Sequence, residues 1–123
     1  MGAEEVEIAT RCLQAAGASL ETGDRDPVYA FLADDVEWVV PARPLHGIDE
    51  VRNELIWGLP PENLDAEVKL GDVEDLGEGR VGCDVREVYR WKQTGELAHE
   101  RLRRIEVTIR NGKVSRWEMR VVG

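Results

Sequence analysis

Apolar residues recur at helical spacing along the first part of the chain. Residues three and four positions apart form one stripe: Val6, Ala9, Leu13, Ala16 and Leu20. This spacing predicts an amphipathic helix over 3–21. Gly23 follows the last apolar residue of the stripe and is expected to end the helix.

Two shorter helices flank one strand in the next part of the pattern. Asp26 is a suitable N-cap and Pro27 suits a first helical position, so a short helix is expected to carry Val28, Phe31 and Leu32. The β-branched and aromatic segment over 36–40 predicts a strand that ends at Pro41. A third helix is predicted from one further apolar stripe, closed by Pro60 and Pro61: Ile48, Val51, Leu55 and Leu59.

The pattern changes after residue 62 to long strands separated by turn residues. Strands are predicted near 64–76, 80–92, 97–110 and 113–122, with Gly-rich or polar breaks between them. Asn111-Gly112 is the strongest of these breaks, since both residues tolerate the positive φ of a two-residue hairpin. Helices followed by an antiparallel meander predict an α+β fold in one domain over 1–123.

The amino-acid composition excludes several classes of protein for this chain. The chain has 123 residues, a net charge of −9 and 42% hydrophobic residues. The acidic balance argues against a nucleic-acid binder, and no apolar run approaches the ~20 residues of a membrane span. Two cysteines and two distant histidines, Cys12, Cys83, His46 and His99, suit buried or surface positions better than a disulfide framework or a metal site. We therefore expect a cytoplasmic protein with no cofactor and no metal.

Charge is distributed unevenly between the two parts of the chain. Acidic residues dominate before residue 80, whereas Arg and Lys dominate after it. Two interpretations stay open at this point. Two layers of opposite charge attract each other within one fold, or the later strands present a basic surface to an anionic partner.

Several short segments, in this order, resemble one family. They are Gly23-Asp24, the run Leu32-Ala33-Asp34-Asp35-Val36, Leu45-His46-Gly47, and Asn111-Gly112-Lys113-Val114 before Trp117. Together they resemble the SnoaL-like branch of the nuclear transport factor 2-like superfamily, whose members include ketosteroid isomerases, epoxide hydrolases and polyketide cyclases. The resemblance implies a cone-shaped roll, with three N-terminal helices on a curved, mainly antiparallel sheet around a central pocket. It also implies a hydrophobic small-molecule ligand and a homodimer through the outer sheet face.

The catalytic sets of two relatives do not carry over to this chain. The base of the isomerases corresponds to Val40, and their helical tyrosine corresponds to Ala16. The Arg-x-Asp pair and the later Asp of the hydrolases correspond to Val85, Glu87 and Met119, so one acid is loosely kept. Neither mechanism is implied intact, because fold and activity separate readily.

Hairpin lengths predict which strand residues share a face. A four-residue loop at 93–96 would place Glu87 opposite Leu102 and Val85 opposite Arg104, while the turn at Asn111-Gly112 would bring Glu106 opposite Trp117. Glu87, Arg104 and Glu106 would then lie together on the concave face, among apolar and aromatic residues expected to line the ligand pocket: Trp38, Val40, Val85, Tyr89, Trp117 and Met119.

Two functions remain open for these three charged residues. Glu87 as base or acid, Glu106 as second acid and Arg104 as oxyanion partner would suit an isomerase, cyclase or hydrolase of a hydrophobic substrate. Alternatively, Arg104 merely neutralises two inward acids in a non-catalytic ligand-binding or dimerisation domain. The same register places Arg103, Ile105, Val107 and Ile109 on the outer face, where the apolar three would favour a dimer partner.

Overall fold

A computed structural model describes residues 2–40, 44–54 and 62–122. The helices are α1 (Ala3–Thr22), α2 (Asp26–Tyr29) and α3 (Ile48–Glu54). The strands are β1 (Leu32–Val39), β2 (Leu45–His46), β3 (Leu64–Gly77), β4 (Arg80–Trp91), β5 (Leu97–Arg110) and β6 (Lys113–Val121). The predicted α+β class is confirmed, and the four later strands end within one residue of their predicted bounds.

The first half of the chain departs from prediction in a few places. α2 stops at Tyr29, and Leu32 opens β1 instead of closing a helix. Arg25 takes the N-cap position expected of Asp26, and the two-residue strand β2 was not predicted. Pro41, Leu55, Leu59, Pro60 and Pro61 lie outside the described residues.

All six strands form one curved sheet in the order β2-β1-β6-β5-β4-β3. Neighbours are antiparallel apart from β1 and β6, which run parallel. α1 packs across β3, β4 and β5, and we call the side that it covers the inner face. Gly17 permits close approach, since a Cβ there would lie 3.1 Å from a methyl carbon of Val68.

The inner face carries the apolar core. Trp38 on β1 and Trp117 on β6 are paired across the parallel ladder, and both are fully buried. Their rings stack with centroids 4.5 Å apart and planes 2° from parallel. Burying two tryptophans in contact removes a large apolar area from water and ties the end of the sheet to its middle.

The register predicted for β5 was wrong by one residue. Glu87 pairs with Arg101, and Val85 pairs with Arg103, where the sequence predicted Leu102 and Arg104. The hairpin closes earlier than expected, since Trp91 N–H donates to the carbonyl of Glu96, and an irregularity follows between Tyr89 and Arg90. A slip of one residue turns every side chain of a strand to the other face.

A second irregularity restores the predicted face of β6. The Asn111-Gly112 turn pairs Arg110 with Lys113, as expected, but the register shifts between Thr108 and Ile109. Trp117 consequently lies opposite Val107, and both are fully buried. β5 is therefore the strand whose predicted face was wrong, with consequences for the site below.

Candidate functional site

Glu87 lies in the middle of β4, on the inner face. It pairs with Val68 of β3 on one side and Arg101 of β5 on the other. Among the described residues, Glu87 is the one charged residue that is buried, with 8% of its surface exposed. A charge in such surroundings needs an opposite charge or hydrogen bonds.

Two neighbours on the inner face supply these contacts. Arg103 approaches one carboxylate oxygen of Glu87, with 2.6 Å between Nε and Oε2. The Tyr89 hydroxyl donates a hydrogen bond of 2.7 Å to the other oxygen, Oε1. Arg103 also reaches inward, since its Nη1 lies 3.6 Å from the sulfur of Met119. We call Glu87, Tyr89 and Arg103 the inner cluster.

The Tyr89 hydroxyl is held in its protonated form, as a hydrogen-bond donor to Glu87. Burial raises the pKa of its hydroxyl strongly, and the hydrogen bond to Glu87 raises it further. Arg103 and Arg101 oppose this shift in pKa. His99, directly opposite on β5, stacks on the Tyr89 ring with centroids 4.5 Å apart. The phenol therefore stays protonated, with its O–H directed at the carboxylate.

The raised pKa of Tyr89 predicts a loss of stability in alkali. A tyrosine whose pKa is higher in the folded than in the unfolded state, where it is 10.0, contributes stability that is complete below that value and is lost as pH rises above it. We expect the free energy of unfolding, measured with urea between about pH 8 and about pH 11, to fall more steeply in wild type than in Tyr89→Phe. Equal slopes in the two proteins would contradict this prediction.

The structure does not bring together the three charged residues predicted from sequence. Glu87 is on the inner face, whereas Arg104 and Glu106 are on the outer face, so their predicted place in a concave pocket with Glu87 is wrong. Arg104 Nη1 contacts Glu74 at 3.0 Å and Asp84 at 3.3 Å. Glycine at position 82 leaves room for this guanidinium, because a Cβ there would lie 2.4 Å from Arg104 Nη2.

Glu106 belongs to the same outer network. Its carboxylate lies 2.5 Å from Arg80, 3.6 Å from Arg104 and 3.9 Å from Arg120. Pairing among charges on a sheet surface explains Arg104 and Glu106 without any ligand. Their neutralising role was the alternative that the sequence left open, although it operates on the outer face and without Glu87.

Residues predicted to line the pocket lie on the core side of the sheet. Val85, Tyr89 and Met119 are buried, and half-buried Val40 packs against the core. Trp38 and Trp117 have no exposed surface, so a ligand reaches them only if the core opens. Both tryptophans therefore fit the role of core residues better than that of an open pocket wall.

Arg103 is the site residue that sequence reasoning missed. It was assigned to the outer face together with Ile105, Val107 and Ile109, yet these three apolar residues are buried in the core. The signal was present in β5 itself. Alternation of Ile105, Val107 and Ile109 is the mark of a core-facing row, and Arg103 continues that row. Leu102, expected inside, is 41% exposed.

Two cavities are lined by described residues, and neither is centred on Glu87. One, of about 470 Å³, lies between α2, the start of β1 and the β5–β6 turn, with Asp34, Asp35 and Arg110 in its wall. The other, of about 440 Å³, is lined by Lys69, Arg86, Leu102 and Val122, and it also reaches Val85 and Arg103 of the inner face. Both are open to the surface, and both are large enough for a small ligand.

Residues 2–40, 44–54 and 62–122 contain neither a membrane-spanning helix nor a cluster of metal-ligating side chains. None of the described helices combines the length and apolarity needed to cross a bilayer. In the same part of the chain, no three His, Cys, Asp or Glu side chains are placed to hold a metal ion together.

A long helix packed across one face of a curved sheet of six strands defines the class of fold. An NTF2-like protein from Anabaena variabilis has this fold, with a TM-score of 0.76 and 12% identity over 100% of this chain and 93% of that chain. This chain therefore has the nuclear transport factor 2-like fold, which confirms the fold that the resemblance implied. No family model matches the chain, and no curated protein matches it.

Two further solved structures share the architecture. A proposed isomerase from Rhodopseudomonas palustris has a TM-score of 0.69 and 14% identity, over 93% of this chain and 88% of that chain. TerC, co-crystallised with polyporic acid, has a TM-score of 0.69 and 19% identity, over 94% and 92%. These likenesses concern the fold.

Proposed function

We propose that the protein binds a hydrophobic small molecule on the inner face and acts on it by acid–base catalysis at Glu87. The observation that carries this proposal is the buried carboxylate itself, held by Arg103 and Tyr89 on a face that is otherwise mostly apolar. A stabilising role alone would be served as well by apolar residues, since a buried ion pair is seldom a net gain in stability. The co-crystallisation of TerC with polyporic acid supports a small-molecule ligand for this chain.

Each member of the inner cluster has a chemical role in this proposal. Glu87 accepts a proton from the substrate at Oε1 or returns one there. Arg103, with its Nε 2.6 Å from Oε2, pairs with the carboxylate and orients it. Tyr89, in place of Glu106, is the second group at the reacting oxygen, where its hydroxyl donates a hydrogen bond to Oε1 and holds that oxygen in position. General acid–base help of this kind is worth roughly 10²–10⁴ in rate.

A pair of matched glutamate variants tests the site. We expect compounds from a panel of terpenoids, steroids and aromatic polyketides to raise the melting temperature of wild type and of Glu106→Gln, but not of Glu87→Gln. Both substitutions remove one carboxylate charge next to an arginine, but on opposite faces of the sheet. Chromatography of any bound compound after incubation then shows whether it is converted.

Two results of this melting-temperature experiment would count against the proposal. A compound that stabilises Glu87→Gln as much as wild type binds elsewhere, for example at the cavity between α2 and the β5–β6 turn. Loss of binding in Glu106→Gln alone would restore the outer network as the site.

A non-catalytic ligand-binding or dimerisation domain is the second candidate. Its support is that both oxygens of Glu87 already have partners, so the inner cluster is satisfied without a substrate. Binding without conversion in the experiment above would favour it. The apolar residues that motivated a homodimer line the core instead, so the dimer stays a prediction, as does the cytoplasmic location; sedimentation at micromolar concentration tests the dimer.

A further inference from the structure

The inner side of β5 carries a row of basic side chains. His99, Arg101 and Arg103 alternate along the strand and lie opposite Tyr89, Glu87 and Val85 of β4. Residues directly opposite in an antiparallel pair project from the same face, so all three basic residues share the face of the inner cluster. We call His99, Arg101 and Arg103 the basic row.

Arg101 differs from its two neighbours in the row because its side chain makes no ion pair or ring contact with the described residues. Arg103 is engaged with Glu87, and His99 stacks on Tyr89. Arg101 is exposed, and its guanidinium enters no ion pair with any residue in the described part of the chain. It nevertheless lies near enough to Tyr89 to oppose the rise in the pKa of that hydroxyl.

Acidic groups nearby do not neutralise this charge. Glu87 is shared between Arg103 and Tyr89. Glu21 of α1 points its Oε2 at the edge of the sheet, where it accepts a hydrogen bond of 2.9 Å from the Val68 N–H. Neither carboxylate is free to pair with Arg101, so its guanidinium remains an exposed positive charge in a chain of net charge −9. Such a charge fits the second of the two interpretations of the charge distribution, a basic surface for an anion.

We infer that the ligand of this site is an apolar molecule with one anionic group, and that Arg101 binds that group. This inference rests on the proposed function and adds the substrate class to it. The apolar body would lie against Ala66, Val68 and Ala98, the partly exposed residues that border the buried cluster of Leu20, Leu64 and Tyr89. The anion would lie at the exposed end of the basic row. A guanidinium suits a carboxylate or sulfonate because it donates two parallel hydrogen bonds.

Two fluorescent probes of nearly the same shape test the charge requirement. 8-Anilino-1-naphthalenesulfonate is an aromatic anion, and N-phenyl-1-naphthylamine has the same ring system without the sulfonate. We expect wild type to bind the anion more tightly than the neutral probe. Arg101→Gln should weaken binding of the anion about tenfold, which corresponds to about 1.4 kcal/mol, and leave the neutral probe unchanged.

Arg116→Gln is the matched control. Arg116 is also an exposed arginine, but its pairing with Thr108 places it on the outer face, and it lines neither cavity. This substitution removes the same charge from the chain and should change the affinity for neither probe.

Each unfavourable outcome identifies which claim fails. If both probes bind wild type and Arg101→Gln with equal affinity, the anion requirement is wrong while the apolar site stands. If Arg116→Gln weakens binding of the anion as much as Arg101→Gln does, the effect is one of net charge, which also overturns the inference. If neither probe binds wild type, the proposed function and the inference both fail.

Discussion

Arg103→Ala is expected to lower the free energy of unfolding by about 3 kcal/mol, the lower end of the cost of breaking a buried ion pair. The substitution leaves the Glu87 carboxylate buried, with the Tyr89 hydroxyl as its remaining partner among the contacts described above. The side chains of Arg103 and Glu87 are 14% and 11% exposed, so water compensates poorly for the lost guanidinium. Urea unfolding at neutral pH measures the change.

Two further variants make this prediction specific. Arg86→Ala removes an exposed arginine and should change the free energy of unfolding by no more than about 0.5 kcal/mol. The double variant Arg103→Met with Glu87→Met replaces the pair by apolar side chains and should cost less than Arg103→Ala alone. A loss below about 1 kcal/mol in Arg103→Ala would show that the ion pair is more hydrated than its burial indicates.

Trp117→Ala should have the largest effect on stability, about 3–5 kcal/mol. Trp117 has no exposed surface and stacks on Trp38 at 4.5 Å, across the parallel ladder between β6 and β1. Removing the indole leaves a cavity against Trp38 that the rigid sheet cannot close. The midpoint of urea unfolding should fall accordingly, without a change in the dependence on urea concentration.

Trp91 provides the control for this substitution. It ends β4 and is 43% exposed, so Trp91→Ala removes an indole of the same size from a site that water already reaches. We expect a loss below about 1 kcal/mol. Similar losses in the two variants would mean that Trp117 does not anchor the core.

Much of the architecture could be predicted because local signals mark its boundaries. Helix α1 ends where Gly23 adopts a φ of 83°, as its position after the apolar stripe indicated. The strands after residue 62 begin and end at their turn residues, and Asn111 and Gly112 both have the positive φ that the hairpin requires. These features depend on residues close together in sequence.

The composition of the candidate site could be predicted only in part, because register depends on irregularities that no local signal marks. Shifts between Tyr89 and Arg90, and between Thr108 and Ile109, change which side chains meet. The sequence predicted the correct face for Glu87, but it predicted Arg104 as its partner, and the partner in the structure is Arg103. Burial of Ile105, Val107 and Ile109 releases more free energy than a loop-length preference costs, so the apolar row determines the face.

The acidic character of β3 has a consequence for how the protein behaves in concentrated solution. This 14-residue strand is the last in the described sheet, and its exposed acids include Asp72 and Asp75, which form no ion pair with the described residues. A long strand at a border is a template on which a second chain can add and begin a fibril. Repulsion between like charges blocks that addition at neutral pH. Acidification would remove the repulsion, so fibril growth in acid should start from this border.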